Sequence, residues 1–221
     1  MSPPPSNAVP AGDPDLRVQA LHWLTECDPV AKVAGVRALW ASVAAARAEE
    51  RPIGLDSEAI LVPPSDRPLP GRPPRPRLIP PGSVPPRSPF TPEGHAALVH
   101  AICHIEFNAI NLALDAVWRF SGMPVAFYAD WLRVAAEEAE HFTLLREHLR
   151  ALPHPAGGHW DYGDFDAHDG LWTMCEKTAG DIVARMALVP RTLEARGLDA
   201  TPLIQAKLRR AGTPAARAAC E

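Results

Sequence analysis

Twelve prolines fall between residues 63 and 89, and no other feature restricts the fold of this chain so sharply. Proline lacks an amide hydrogen and has a locked φ, so the stretch can be neither helix nor central strand. It must run extended, dividing a shorter N-terminal part from a longer C-terminal one. It also carries Arg67, Arg72, Arg75, Arg77 and Arg87 against a single acid, Asp66. The plain reading is a strap lying across a folded body. The sharper one is a docking site for an acidic partner or one that reads polyproline.

On both sides of the strap the apolar spacing is helical. Asp13-Pro14 and Asp28-Pro29 each join an N-cap side chain to a proline suited to the first turn. They predict helices over 13–27 and 28–48. Thr91-Pro92-Glu93 gives the same signal and predicts a long helix to Ser121. Gly122 ends it, and Pro124 opens another that runs to Leu152. Residues 153–170 read as a loop with turn chemistry throughout. A third long helix is expected from Gly170 to Arg196, with Gly197 closing it and Pro190 kinking or interrupting it. Short helices are expected after Thr201-Pro202 and from Thr213-Pro214. The organisation is then a disordered tail (1–12), an N-terminal helical pair (13–50), a Pro/Arg-rich extended segment (51–90) and a helical bundle (91–221). The fold class is all-α.

With 47% hydrophobic residues in 221, a sizeable core is within reach. The formal charge of −4 gives no general pull toward nucleic acid or anionic membranes. Four scattered cysteines without a Cys-x-x-Cys suit a reducing compartment better than a disulfide scaffold. No basic segment followed by an apolar stretch opens the chain, and no run approaches the roughly 18 uninterrupted apolar residues of a spanning helix. The expectation is a cytoplasmic protein with no membrane partner.

The chemistry concentrates in the two long helices. Three, four and seven residues from Glu106 lie Val99, Ile102, Cys103, Ala109, Ile110 and Ala113, all apolar and all on its helical face. A carboxylate centred there needs a cation, a metal or a proton. Asp115, with Asn108, Asn111 and Arg119 around it, reads as a solvated acid. In the next helix, Glu138 has Trp131, Val134, Ala135, Phe142 and Leu145 on its face, and His141 stands at i+3. Such a Glu-x-x-His pair, pointing inward, can offer a carboxylate oxygen and an imidazole nitrogen to one metal, as bundle proteins do for di-iron and di-manganese centres. Mixed oxygen and nitrogen donors suit iron or manganese. Glu140 faces Arg133, Glu137, Thr143 and Glu147, the solvent side. Each element alone has a plainer reading: Glu-x-x-His occurs by chance, and a lone acid on an apolar face is commonly salt-bridged. In the third helix, Glu176 and Glu194 both sit on mixed faces, and periodicity does not choose between them. Pro190, one turn before Glu194, mildly favours the latter. His100, His104 and His148 are alternative ligands. Tyr128 and Trp131 read first as core and second as redox-active neighbours, and His168 and Asp169 as a helix start.

The stretches HIEFNAINLALDAVWRF, FYADWLRVAAEEAEHFTLLREHL, YGDFDAHDGLW and ARMALVPRTLEARGLDATP together resemble the bacterial family catalogued as domain of unknown function 455, over most of residues 14–213. That resemblance implies a ferritin-like bundle with two extra N-terminal helices and a Pro-rich strap. LEARGLD is similar to a helix-three segment of tRNA-modifying di-iron hydroxylases. The resemblance implies metal ligands at Glu106, Glu138, His141 and Glu194, and so selects Glu194 over Glu176. It implies a di-iron carboxylate oxidoreductase or hydroxylase, with iron or alternatively manganese as cofactor and a small molecule or tRNA as substrate. It also implies a fourth helix carrying a second Glu-x-x-His. Glu138–His141 is the sole such pair here, so that helix is expected to be largely missing, leaving three carboxylates and one histidine. A homodimer through the exposed bundle face, a non-enzymatic metal-binding or stress protein, and an inactive remnant needing a partner chain are the alternative expectations.

Overall fold

In the computed structural model, which describes residues 14–188, the chain is all-α. Its helices are α1 (Leu16–Thr25), α2 (Pro29–Ala48), α3 (Pro92–Arg119), α4 (Val125–Ala151), α5 (Gly170–Lys177) and α6 (Ile182–Met186), with one 3₁₀ turn at Pro81–Ser83. Among the described residues there is no strand, only an isolated parallel bridge between Leu78 and Ala167.

The capping chemistry explains most of these boundaries. Asp28 accepts from the Val30 and Ala31 amides, with Pro29 in the first turn of α2. Thr91 accepts from Gly94, with Pro92 opening α3. In α1 the expected cap is displaced. Asp15, not Asp13, accepts from Arg17 and Val18, and its other oxygen takes the Asp56 amide at 2.5 Å.

Helix α3 is the centre of the molecule, packed on α4, α1 and α5, with α2 packed on α4 and α1. One 18-residue window of it has a mean hydropathy of 1.4, enough by length and composition to cross a membrane, yet 61% of that window is buried inside the fold. A helix that is apolar nearly all round is what a core position demands. Helices α3 and α4 run antiparallel through the tight turn at residues 120–124. There the fully buried Tyr128 donates its hydroxyl to the Phe120 carbonyl (2.9 Å) and accepts from the Met123 amide (3.1 Å). Tyr128 is thus a core staple, and Trp131 packs partly buried against the same core.

The strap lies across the end of α1 and is clipped to the loop before α5. Gly71 donates its amide to the Leu24 carbonyl at 2.8 Å. The Ile79 amide bonds the Ala167 carbonyl at 2.9 Å, and the Ala167 amide bonds the Arg77 carbonyl at 3.0 Å. The fully buried Lys32 donates to the carbonyls of Leu24 (3.3 Å) and Gly71 (3.0 Å) and to Asn111 Oδ1, over the face of Phe107. Burial pulls this ammonium down to about 7, with Cys27 and Glu26 pulling the other way. Arg72, Arg77 and Arg87 pair with Asp169, Asp166 and Glu93. Three of the five strap arginines therefore serve the chain's own fold.

The expected unbroken helix from Gly170 is not formed: α5 stops at Lys177 and α6 starts at Ile182. The cause is a side chain from beyond the break. Arg185, fully buried, donates to the Cys175 carbonyl (2.8 Å), to Thr178 Oγ1 (2.7 Å) and to Asp115 Oδ2 (2.6 Å). Thr178 turns its hydroxyl onto the Met174 carbonyl (2.8 Å), and Asp181 recaps the chain by accepting from Val183 and Ala184. Asp115 is accordingly no solvated acid. It is fully buried and also bonded by Arg119 (2.6 Å) and Trp118 (3.2 Å). Its polar face, Asn108 and Asn111 included, is inside the protein. Pro190, Glu194 and the short helices expected after Thr201-Pro202 and from Thr213-Pro214 lie outside the described residues.

Candidate metal centre

The antiparallel register of α3 and α4 brings Phe107 and Phe142 ring to ring, with centroids 5.4 Å apart. Each follows directly on a residue of interest, so Glu106 and the Glu138–His141 pair meet across the helix interface. One ligand atom from each of Glu106, Glu138 and His141 falls within a 4.8 Å cluster. The apolar surroundings of Glu106 are as the periodicity implied: Val99, Cys103, Ile110 and Ala113 are all buried.

The electrostatics of the trio follow from that placement. Burial first, then the hydrogen bond with Glu138 and that group's charge, push the Glu106 carboxyl up to about 8. Two carboxylates held together in a partly dry site cannot both stay ionised without a cation. His141 Nδ1 bonds Glu138 Oε2 at 3.0 Å, leaving Nε2 as its other donor atom. The inward reading fails for His141, whose side chain is 55% exposed against 18% for Glu138.

The other candidates have different work. Glu176 on α5 is exposed and accepts from Trp172 Nε1 at 3.2 Å, apart from the trio. His104 Nδ1 accepts from the Tyr162 hydroxyl (2.9 Å), and its Nε2 donates to the His168 carbonyl (3.1 Å). His100 Nε2 accepts from the Gly163 amide at 2.9 Å. Burial and neighbouring positive groups hold both imidazoles down at about 4, hence neutral. His168 accepts from the Gly170 amide, but Asp169, expected to start α5, offers that helix no side-chain cap and pairs with Arg72 at 2.6 Å. Cys103 sits near Glu106, yet burial raises its thiol far above the ordinary range, and it bonds the Phe142 carbonyl.

Sequence reasoning missed three groups. Tyr162 belongs to a stretch read as plain loop, yet it stacks on His100 and His104 and packs edge-on to Phe142. Its signal was the aromatic spacing of WDYGDF, which a solvated loop does not need. Lys32 and the Asp115–Arg185 pair had a fainter one. Leu112, Leu114, Ala116 and Val117 surround Asp115 on every side of the helix and are all buried.

A model of the family described as protein of unknown function, DUF455, matches residues 25–221. The chain belongs to the DUF455 family. An uncharacterized protein of Haemophilus influenzae is 57% identical over 143 residues, covering 62% of this chain and 48% of the relative. The chain thus spans about half the length of that relative. No solved structure matches. In this DUF455 chain the 25–221 match includes α2, the strap and every described helix that carries a residue of the trio.

Proposed function

We propose that Glu106, Glu138 and His141 form part of a di-iron carboxylate centre in a ferritin-like bundle, and that the chain is of an oxidoreductase or hydroxylase lineage working with dioxygen. One observation carries the reading. Two carboxylates and an imidazole from two antiparallel helices converge within 4.8 Å, and among the described residues Glu106 has no positive partner. The donor set fits: oxygen-rich with one imidazole, suited to iron or manganese. The nearby Cys103 thiol is withheld by its protonation. Glu106 and Glu138 would contribute carboxylate oxygens, His141 a ring nitrogen, and Glu194 a further carboxylate or bridge. Bound iron supplies the redox chemistry with dioxygen that these side chains lack. The chain's own part is to hold one proton at Glu106 beside Glu138 near neutral pH, to give it up when a cation arrives, and to fix the His141 ring through Nδ1.

A second reading, metal held without turnover, is favoured by the cavities. A groove of about 420 Å³ between α2 and α4 is lined by Pro29, Val30, Val33, Phe142 and Arg146 among others, and by none of the trio. Ile105 and Leu144, beside the cluster, are 48% and 55% exposed, which suits closure of this face by a second copy. Small-molecule or tRNA substrates belong to the first reading alone.

Anaerobic loading with iron(II) tests both. About two irons per site, lost in a Glu138→Ala/His141→Ala variant, are expected. No specific iron in either protein overturns the proposal. Dioxygen uptake that continues with an electron donor selects the oxidoreductase; a single burst selects metal holding.

A further inference from the structure

A second set of ligating groups lies at the opposite end of the α3–α4 pair from their connecting turn, and it is independent of the carboxylate cluster. His95 stands near the start of α3 and His148 in the last turn of α4. The antiparallel packing brings their rings to a centroid separation of 6.3 Å, at 47° to each other. Both Nε2 atoms are buried, and neither has a hydrogen-bond partner among the described residues. His95 as a whole is only 7% exposed. The groups next to them, Ala96, Val99, Leu149, Leu152 and Phe165, form a small apolar cluster. A buried polar atom normally finds a partner, and two orphaned nitrogens on rings whose centroids are 6.3 Å apart are close enough for one occupant to serve both.

We propose that His95 and His148 bind one divalent transition-metal ion of the zinc class through their Nε2 atoms, with water completing its coordination. Imidazole nitrogen is a preferred donor for zinc, copper and nickel. Metal–nitrogen bonds of about 2.0–2.1 Å allow two rings on one ion to stand at most roughly 6.5 Å apart, centroid to centroid. The observed 6.3 Å falls inside that limit, and a tetrahedral angle is reached when the rings close by about 1 Å. Burial lowers the proton affinity of both imidazoles, and His148 adds to the effect on His95. No carboxylate acts on either, so both are neutral near pH 7 and keep a lone pair for a metal. The competing occupant is a bridging water.

Zinc titration of the full chain, followed by calorimetry in a Glu138→Ala/His141→Ala background, separates this site from the carboxylate cluster. About one equivalent of zinc is expected to remain, with a zinc-dependent rise in melting temperature. Adding His95→Gln or His148→Gln lowers the affinity by about tenfold or more and abolishes that rise, at unchanged helical circular dichroism. Zinc binding that is absent in the background, or indifferent to both histidines, overturns the proposal and leaves a bridging water only. On the unmodified chain, side-chain nitrogen NMR tests the site without any variant. Zinc must move the Nε2 resonances of His95 and His148, and unmoved resonances overturn the site.

Discussion

Glu106 and Asp115 sit nine residues apart on α3, and the protein treats their charges in opposite ways. Asp115 is fully buried and receives two guanidinium groups and an indole N–H. Every oxygen has a partner, so the acid closes the corner between α5 and α6 and has no capacity left for a ligand. Glu106 is less buried but faces another carboxylate, and the neutralising charge there is a proton. A buried acid compensated by the chain is architecture; a buried acid compensated by a proton is a place where a cation can exchange in.

The largest effect that sharpens this contrast is expected at the architectural acid. Asp115→Ala leaves Arg185 buried without its counterion and should cost about 3–5 kcal/mol in urea unfolding. A loss below about 1 kcal/mol would break the comparison. Lys32 is the intermediate case, a buried amine whose hydrogen-bond acceptors are all neutral oxygens. Lys32→Met strands the acceptors of Leu24, Gly71 and Asn111 and should cost about 1–3 kcal/mol, with strap residues exchanging their amides faster. At Glu106 the effect is one of slope. Its folded-state pKa of about 8 lies above the ordinary 4.5, so the folded, metal-free chain holds a proton that the unfolded chain loses between those values. Stability contributed this way is complete below about pH 4.5, falls as pH rises, and is gone above about pH 8. Glu106→Gln should flatten that part of the pH–stability curve, and an unchanged slope would contradict the shared-proton picture. The smallest effect belongs to the partly buried Arg72–Asp169 pair, whose side chains are 25% and 29% exposed. Arg72→Gln should cost about 1 kcal/mol or less and lose even that in high salt.

The same contrast explains what is legible in the sequence. The starts of α2, α3 and α4 are written in local chemistry, Asp-Pro, Thr-Pro and Gly-x-Pro, and need no tertiary knowledge. The apolar neighbours of Glu106 and Glu138 likewise lie within a turn or two in sequence, so their faces can be read. Asp115 cannot, because polarity nearby has two meanings. Asn108, Asn111 and Arg119 signal solvent on a surface helix and bonding partners in a buried one, and only the packing around α3 separates the two. The break at Thr178 is invisible because it depends on Arg185 reaching back to α3. The exposure of His141 is set by whatever lies opposite it, which spacing along one helix does not contain.

Gly71 shows how far the strap constrains its own evolution. Its amide meets the Leu24 carbonyl, its carbonyl meets Lys32, and a Cβ added there would collide with the Thr25 carbonyl. In a saturation library this position should tolerate no replacement at all, while the more conspicuous prolines around it accept several. The most intolerant letter of a proline-rich segment would then be a residue with no side chain, placed at the point of closest approach.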